Sequence, residues 1–557
     1  MRAASSTCTI FAVLTLDALA VAQEQAAGLR DGHHHPRYRL VDLGTFGLVL
    51  IGRRKPMKFE RLMWVAAIAV FAVLTSAVPL AGQDKQAHKH HHYRLIDLGT
   101  LGGPQSQLAM GRTLNNRGTF AGCADTATPD PNYPNFNPIL PPAGVADPFI
   151  FHTFKFKDGR VTDMGALPGT NSSCEGFLTD RGLIVGGSEN GLIDSITGWP
   201  AVEAVAWKNG QVTNLGAFGG GESFAFGAND RGQVVGAAAN MVPDPFSVFF
   251  GWGTQTRAFL WTQSQGLQDL GTLGGPDALA ININDHGQIF GASYTSDVPN
   301  PLTGIPTLDA FLYEKGKMTD IPNGFGGTVV NPFGANNRGE LIGNASFPDE
   351  VTSHPFLWSK GKWIDLGTFG GPFGDANWIN DAGAITGSAG TPDFAAHGFF
   401  WKKGVLTDIG TVDGDDCSIG VNINSANQIV GLSFACNGDA SHAFLWENGK
   451  IVDLNSLISQ GSDLQLEFAG NINDRGEISG LGVLPNGDTH AFVLVPCDDK
   501  HPGVEGCDYS MMETGIAASF EPTTHATPGR RLRSLPVPLW QRRSRFRFPR
   551  PVLGQTN

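Results

Sequence analysis

The chain has 557 residues, with 73 Gly, 34 Pro and 36 Phe, only 16% charged residues and a net charge of −13. That composition is too apolar for a disordered chain and too rich in turn formers for a helical one, so a large all-β protein is expected. Residues 1–92 carry 11 Lys+Arg against 6 Asp+Glu and residues 508–557 carry 8 Arg against 3 acidic residues, which leaves −23 on residues 93–507; such an acidic body repels a phosphate backbone and argues against a nucleic-acid partner.

The first 23 residues, "MRAASSTCTIFAVLTLDALAVAQ", read as a weak export signal with Ala20-Val21-Ala22 as a candidate cleavage site. A His run and "YRLVDLGTFG" (38–47) come after it. Next are Arg53, Arg54, Lys55, Lys58 and Arg61, and then twenty uncharged residues, Leu62 to Ala81. Read from Met57, 57–83 is a signal peptide; read from Met1, the same segment is long enough to span a bilayer. Either reading exports the chain beyond residue 83, to a secreted or membrane-anchored state, with membrane contact only through Leu62–Ala81. A second His run at 84–92, better read as a spacer than as a metal chelate, leads into "YRLIDLGTLGG". The repeated order of signal, His run and YRL-DLG makes residues 1–56 the expected remnant of a truncated gene copy or an over-extended start, contributing nothing to the fold.

From Tyr93 the chain repeats itself. "INDHGQIFG" (283–291) recurs as "LNNRGTFAG", "LTDRGLIVG", "ANDRGQVVG", "ANNRGELIG", "INDAGAITG", "INSANQIVG" and "INDRGEISG", which makes eight units. "HAFLWENGKIVDL" (442–454) places two apolar runs about Asn-Gly, a strong hairpin signal, and "FAFGANDRGQVVG" (224–236) is a second hairpin. Two hairpins per unit give four strands, and four-stranded sheets at this period are the currency of a β-propeller. Eight blades over 93–497 are expected, with a seven-bladed ring, a parallel β-helix or another β-repeat array as alternatives. The last "AFLW"-type strand, "HAFVLVP" (490–496), has no following partner, whereas "YRLIDLG" at Tyr93 has no preceding one. The N-terminal strand is therefore expected to complete the last blade and remove the seam edge. The recurring Asp of "DLG" and Asn-Asp of the turns suit backbone hydrogen bonding in tight turns.

In "HAFLWENGKIVDL", "DLGTLGG" and "INDHGQIFG" the region from about Tyr93 to Pro496 resembles the HAF-repeat family of bacterial proteins. The resemblance implies an exported repeat protein and supplies no catalytic residues.

Six cysteines lie beyond the leader, an even number that suits disulfides in an exported chain. Cys417 with Cys436 flank one hairpin and Cys497 with Cys507 close a short loop, which leaves Cys123 with Cys174 to join the first two blades, or to remain free buried thiols. Asp413, Asp415 and Asp416 in "DGDD" offer hard oxygen ligands to calcium but lack the rest of a coordination pattern, so a solvated loop is the alternative. No other cofactor and no metal centre is expected.

Loop length breaks the symmetry. Units one to four carry insertions at about 124–148, 188–203, 240–256 and 295–308, all on one face of a propeller. Tyr133, Phe136, Trp199, Phe249 and Trp252, with Phe246 and Phe250, are the candidate ligand-binding residues, since rings on loops stack on sugars or anchor proteins. The competing expectation is that these rings fold down as extra core. A non-catalytic binding or adhesion module for an extracellular glycan or protein, monomeric, is the leading reading. A polysaccharide lyase or hydrolase using Asp125, Asp194, Asp244 or Asp297 is the alternative, and a structural surface protein is a third. The basic segment 508–557 is expected to be a solvated tail.

Overall fold

The computed structural model describes residues 38–42, 48–52 and 92–507, apart from 109–110, 141–143, 245–246, 248–250, 439–440, 459–461 and 505–506. The leader segments 1–37 and Leu62–Ala81, with the export signals expected there, lie outside the described residues, and no described helix is long and apolar enough to cross a membrane. The chain divides into two compact units, Met1–His88 and Lys89–Asn557. In the first, the surplus "YRLVD" copy, Tyr38–Asp42, pairs antiparallel with Leu48–Gly52 in a two-stranded hairpin of its own.

The second unit is a propeller of eight four-stranded antiparallel blades. Blade one runs through Gly102–Gln107, Phe120–Pro129, Phe149–Lys157 and Arg160–Gly165. Blades two to seven begin at Ser173, Gly219, Ala278, Val330, Gly374 and Cys417, each with its strands in chain order. Blade eight takes Gln465–Ile472, Ile478–Val483 and Thr489–Pro496 from the end of the repeat region and Tyr93–Asp97 from its start. The closing register runs from Tyr93 opposite Pro496 to Asp97 opposite Phe492, as the orphan strands required. All three expected disulfides form: Cys123–Cys174, Cys417–Cys436 and Cys497–Cys507.

Inside each blade the repeated words have separate jobs. The glycine ending "VVG" lies opposite a bulge in the first strand. A Cβ on Gly291 would come 2.0 Å from the Leu279 carbonyl oxygen and 2.7 Å from the Phe311 ring, so only glycine lets the two strands and the ring close up. That ring belongs to the "AF" pair. Phe259, Phe311, Phe399, Phe444 and Phe492 are all fully buried, one per blade, covered on both faces by neighbouring sheets.

The histidine of the motif pairs with the "DLG" aspartate across the third and fourth strands. His152–Asp163, His354–Asp365, His397–Asp408 and His490–Asp97 are bonded through Nδ1 at 2.8–3.1 Å, and Arg257–Asp269 takes the same place in blade three. Each of these aspartates also accepts the N–H of the glycine two residues on, as Asp97 does from Gly99 at 2.8 Å. Burial alone would raise the Asp97 carboxyl, but the His490 and Gly99 bonds hold it below the usual range.

Candidate functional site

Strand direction sorts the connections onto two faces. The insertion loops and the links between blades form one face, here the crown; the first-to-second and third-to-fourth strand turns form the other, here the ring face.

On the crown, the second strands of blades one to four are 10 or 11 residues long, against 6 in blades five to eight, so four β-ribbons project. At the same point in each ribbon the register shifts, and Thr126, Asn190, Asn240 or Ser296 accepts the N–H two residues on with its side chain. In blades two to four that second residue is Leu192, Val242 or Val298, and each is exposed. The tips "DSITGWP" (194–200) and "NPLTGIP" (300–306) are built alike: Asp194 and Asn300 accept the N–H groups of Ile196 and Leu302, which hold two further aliphatic side chains in water. Among the described residues, 11 of the 13 large exposed hydrophobics lie on crown connections, with only Ile364 and Val405 elsewhere, so the apolar surface is concentrated rather than scattered.

The aromatic candidates divide. Tyr133 is exposed (53%), while Phe136 and Trp199 are half-buried. Trp252 is 1% exposed and packs with Ile139, Leu140, Phe151, Val202 and Phe224, residues of three blades and their insertions. Of the ligand-binding candidates, the Trp252 indole is therefore core and offers no exposed face. Phe246, Phe249 and Phe250 lie outside the described residues. The insertions also lock to one another. Asn135 and Asn137 of blade one donate to the Gly198 and Pro200 carbonyls of blade two, Asn137 also donates to Glu222 of blade three, and the Trp199 ring lies over Gly251.

The four candidate catalytic carboxylates come from four different blades. Asp125 is buried, accepts the Gln105 N–H at 3.0 Å and lies in hydrogen-bond reach of Asp147; burial and that neighbouring charge push it up to about 8. Asp194 spends Oδ1 on its own tip, on Ile196 and Thr197. Asp244 is bonded to Asp277, which burial pushes up to about 8 and which accepts the Thr256 N–H. Asp297 is exposed on the blade-four ribbon. Glu222 is likewise pushed up by burial, to about 8. Of the close pairs, Asp244–Asp277 is buried on both sides, and Asp125–Asp147 joins a buried to a half-buried carboxyl.

A carboxyl raised in this way stays protonated in the folded chain while the unfolded chain releases its proton near pH 4, so stability falls as pH rises from about 4 towards 8. Asp277→Asn keeps both a donor to Asp244 and an acceptor for Thr256 while removing the titration. The expected result is that the wild-type melting temperature rises by several degrees on acidification from about pH 8 to about pH 6, and rises less in the variant, as scanning calorimetry would read.

The calcium candidates have separate surroundings. Asp415 is bonded to His442 at 2.9 Å, Asp416 accepts the Cys436 N–H, and Asp413 is exposed.

On the ring face the repeated asparagines do more than hold their own turns. Asn229 Oδ1 accepts from the Arg231 and Gln233 N–H groups, and Nδ2 donates to the Asn284 carbonyl of the next blade at 3.0 Å. The same step links Asn284 to Asn336, Asn380, Asn424, Asn473 and Asn115 in turn, and Asn115 to Thr179. One residue on, Asp180, Asp230, Asp285, Asp381 and Asp474 each accept a backbone N–H from the preceding blade. These rings surround an axial cavity of about 320 Å³ whose wall includes Phe177 and Trp378, and Arg112, bonded to Asp180, also lines it. Composition offers no sign of this cavity; the Asn-Asp recurrence is its signal.

No family model matches the chain, and no curated protein matches it. Solved structures do. The β-propeller domain of the Trilobed protease from Pyrococcus furiosus is 10% identical, with a TM-score of 0.36 over 57% of this chain and 95% of that one. A protein of unknown function from Dyadobacter fermentans is 10% identical, with a TM-score of 0.30 over 72% and 98%. The Aleuria aurantia lectin, solved with a fucosylated sugar, is 13% identical, with a TM-score of 0.21 over 46% and 85%.

Proposed function

We propose that this chain is an exported, non-catalytic binding module that holds an extracellular protein on its crown. The observation that carries the reading is the arc of aliphatic side chains held in water at matching places on adjacent ribbons. Leu192, Ile196, Val242, Val298 and Leu302 have no core to serve, and exposed apolar side chains concentrated on one face in this way support an interaction site. Aliphatic tips favour a protein over a glycan, because sugars are gripped chiefly by aromatic faces; Tyr133, the exposed ring among the described candidates, is what a glycan would have to use. Three disulfides, the HAF-type repeats and the apolar leader segment support export.

The test is a triple variant, Leu192→Asp/Val242→Asp/Val298→Asp, compared with wild type for binding to the producing cell's surface proteins and to a glycan array. All three positions are exposed, so the melting temperature should stay within about 2 °C. Protein binding should fall at least about tenfold. Binding that the variant retains, or binding confined to glycans and lost with Tyr133→Ala, would overturn the assignment.

A further inference from the structure

We propose that the ring face docks on an anionic lipid surface through the outer hairpin tips of blades four to seven. Charge is segregated along the propeller axis. Of the 20 Lys and Arg in residues 93–507, Arg257 alone stands towards the crown; the others lie on the ring-face turns, at the strand ends that lead into them or in the Cys497–Cys507 loop. On the inner turns the charges nearly cancel, because Arg112, Arg117, Arg181, Arg231, Arg338 and Arg475 stand against the five aspartates, Glu340 and Glu477. The outer turns of blades four to seven are different. Lys315, Lys317, Lys360, Lys362, Lys403 and Lys450 are all exposed and make no ion pair with a described residue, and the two carboxylates in these turns, Glu314 and Glu447, are bonded to Gln288 and Gln428. The third strands of these blades are 7 to 9 residues long, so the acidic crown lies about 20 to 30 Å away, more than two screening lengths at physiological salt, and does not cancel the pull of the lysines.

The tips carry lysine against the local preference of the turn. The first tip residue has positive φ, and blades one, two and seven fill it with Asp158, Asn209 and Asn448, residue types that tolerate it. Blades four, five and six place Lys315, Lys360 and Lys403 there, at φ of 52°, 50° and 51°, so three adjacent tips hold a cation that the turn does not ask for. Val405, directly after the Lys403-Gly404 tip, is 64% exposed, and Ile364, two residues after Lys362, is 39% exposed; apolar side chains set among lysines suit a charged headgroup layer over hydrocarbon. The chain also joins the propeller on this face. Tyr93 pairs with Pro496 at the ring-face end of blade eight, 11 residues after the uncharged segment Leu62–Ala81 ends, and the stretches on either side, 1–92 and 508–557, each carry a net charge of +5. A bilayer suits this arrangement better than a soluble polyanion does, because neighbouring tips of a ring meet a flat surface together, and each Lys near an anionic bilayer strengthens binding about fivefold.

The test compares the full-length wild type with Lys315→Asn/Lys360→Asn/Lys403→Asn. Asn already stands at this position in blades two and seven, so the turns keep their geometry, and an unchanged melting temperature shows that the variant is folded. Both proteins carry Leu62–Ala81 and the C-terminal arginines, so whatever these add to binding is common to the two. Partitioning is read by sedimentation with vesicles of phosphatidylcholine alone and of phosphatidylcholine with about 30% phosphatidylglycerol. At about 0.1 M NaCl the preference for the anionic vesicles should be at least about tenfold greater in the wild type than in the variant, and about 0.5 M NaCl should remove the difference. Equal preference in the two folded proteins at the lower salt would overturn the proposal. So would lysine-dependent binding to soluble heparin without such a preference, which would assign the face to an acidic polysaccharide. The crown plays no part in this measurement, so its outcome is separate from that of the function proposed above.

Discussion

Deleting Tyr93–Asp97 from the full-length chain is expected to abolish the single cooperative thermal transition of the propeller. The strand is short, but it is the outer strand of a blade built from both ends of the repeat region. Tyr93 and Leu95 are 2% and 9% exposed and pack in one cluster with Leu454, Leu457, Leu466 and Leu494. Losing two such side chains costs about 4 to 10 kcal/mol, since each large-to-small change in a core costs about 2 to 5. The deletion also strips the partners from the backbone of Thr489–Pro496, breaks the Cys497 N–H to His92 carbonyl bond and leaves His490 without Asp97. That total rivals the whole stability of an ordinary domain. Near-ultraviolet circular dichroism and calorimetry would register it, and a deletion variant melting as one transition within about 5 °C of wild type would show that the seam strand is not structural. The less invasive Leu95→Asp should move in the same direction by burying a charge without a partner.

The second large effect is expected from Cys123→Ala/Cys174→Ala. This disulfide spans 51 residues and ties the second strand of blade one to the first strand of blade two, whereas Cys417–Cys436 spans 19 and Cys497–Cys507 spans 10. If cross-links act mainly by restricting the unfolded chain, the losses run in that order, at about 4, 3 and 3 kcal/mol. The first pair should stand out further, because both sulfurs lie in the apolar cluster beneath the crown insertions, with Ile139, Leu140 and Trp252. Denaturant unfolding of the three double variants gives the ranking; a first pair that costs least would mean that the insertions hold blades one and two together without it.

Much of this architecture is legible in particular residues. The eight repeated turns, seven with glycine and one with Asn427, count the blades, and the unmatched "HAFVLVP" and "YRLIDLG" point to the closure, because a strand without a partner is a visible gap in a repeat. The disulfides follow from hairpin symmetry and short spacing. The sites are less legible. Trp252 is a candidate by virtue of its ring, but whether a loop residue faces water depends on how four insertions of different length pack on one another, and no local pattern records that. The aliphatic tips escape notice for the opposite reason: Leu192 or Val298 alone looks like any strand residue, and their shared place emerges only when the ribbons are aligned in space. The His–Asp pairs are hidden because their members lie 11 residues apart in three blades and 393 apart in the eighth, and meet only once the third and fourth strands are in register. The asparagine Nδ2 groups reach into the next repeat, which makes them invisible to a reading that takes one unit at a time.

Blade eight also sets a timetable. Asp97 and His490 are 393 positions apart, and at about 5 to 20 residues per second the ribosome takes roughly 20 to 80 seconds to go from one to the other. Through that interval the earliest strand has no sheet to join, and the nascent ring stays an open arc whose terminal edges could recruit the wrong chain. A polypeptide released short of Phe492 lacks every residue that pairs with Tyr93–Asp97 and has no strand to fasten it. Closure therefore doubles as a test of completeness, passed only by molecules that were made to the end of the last blade.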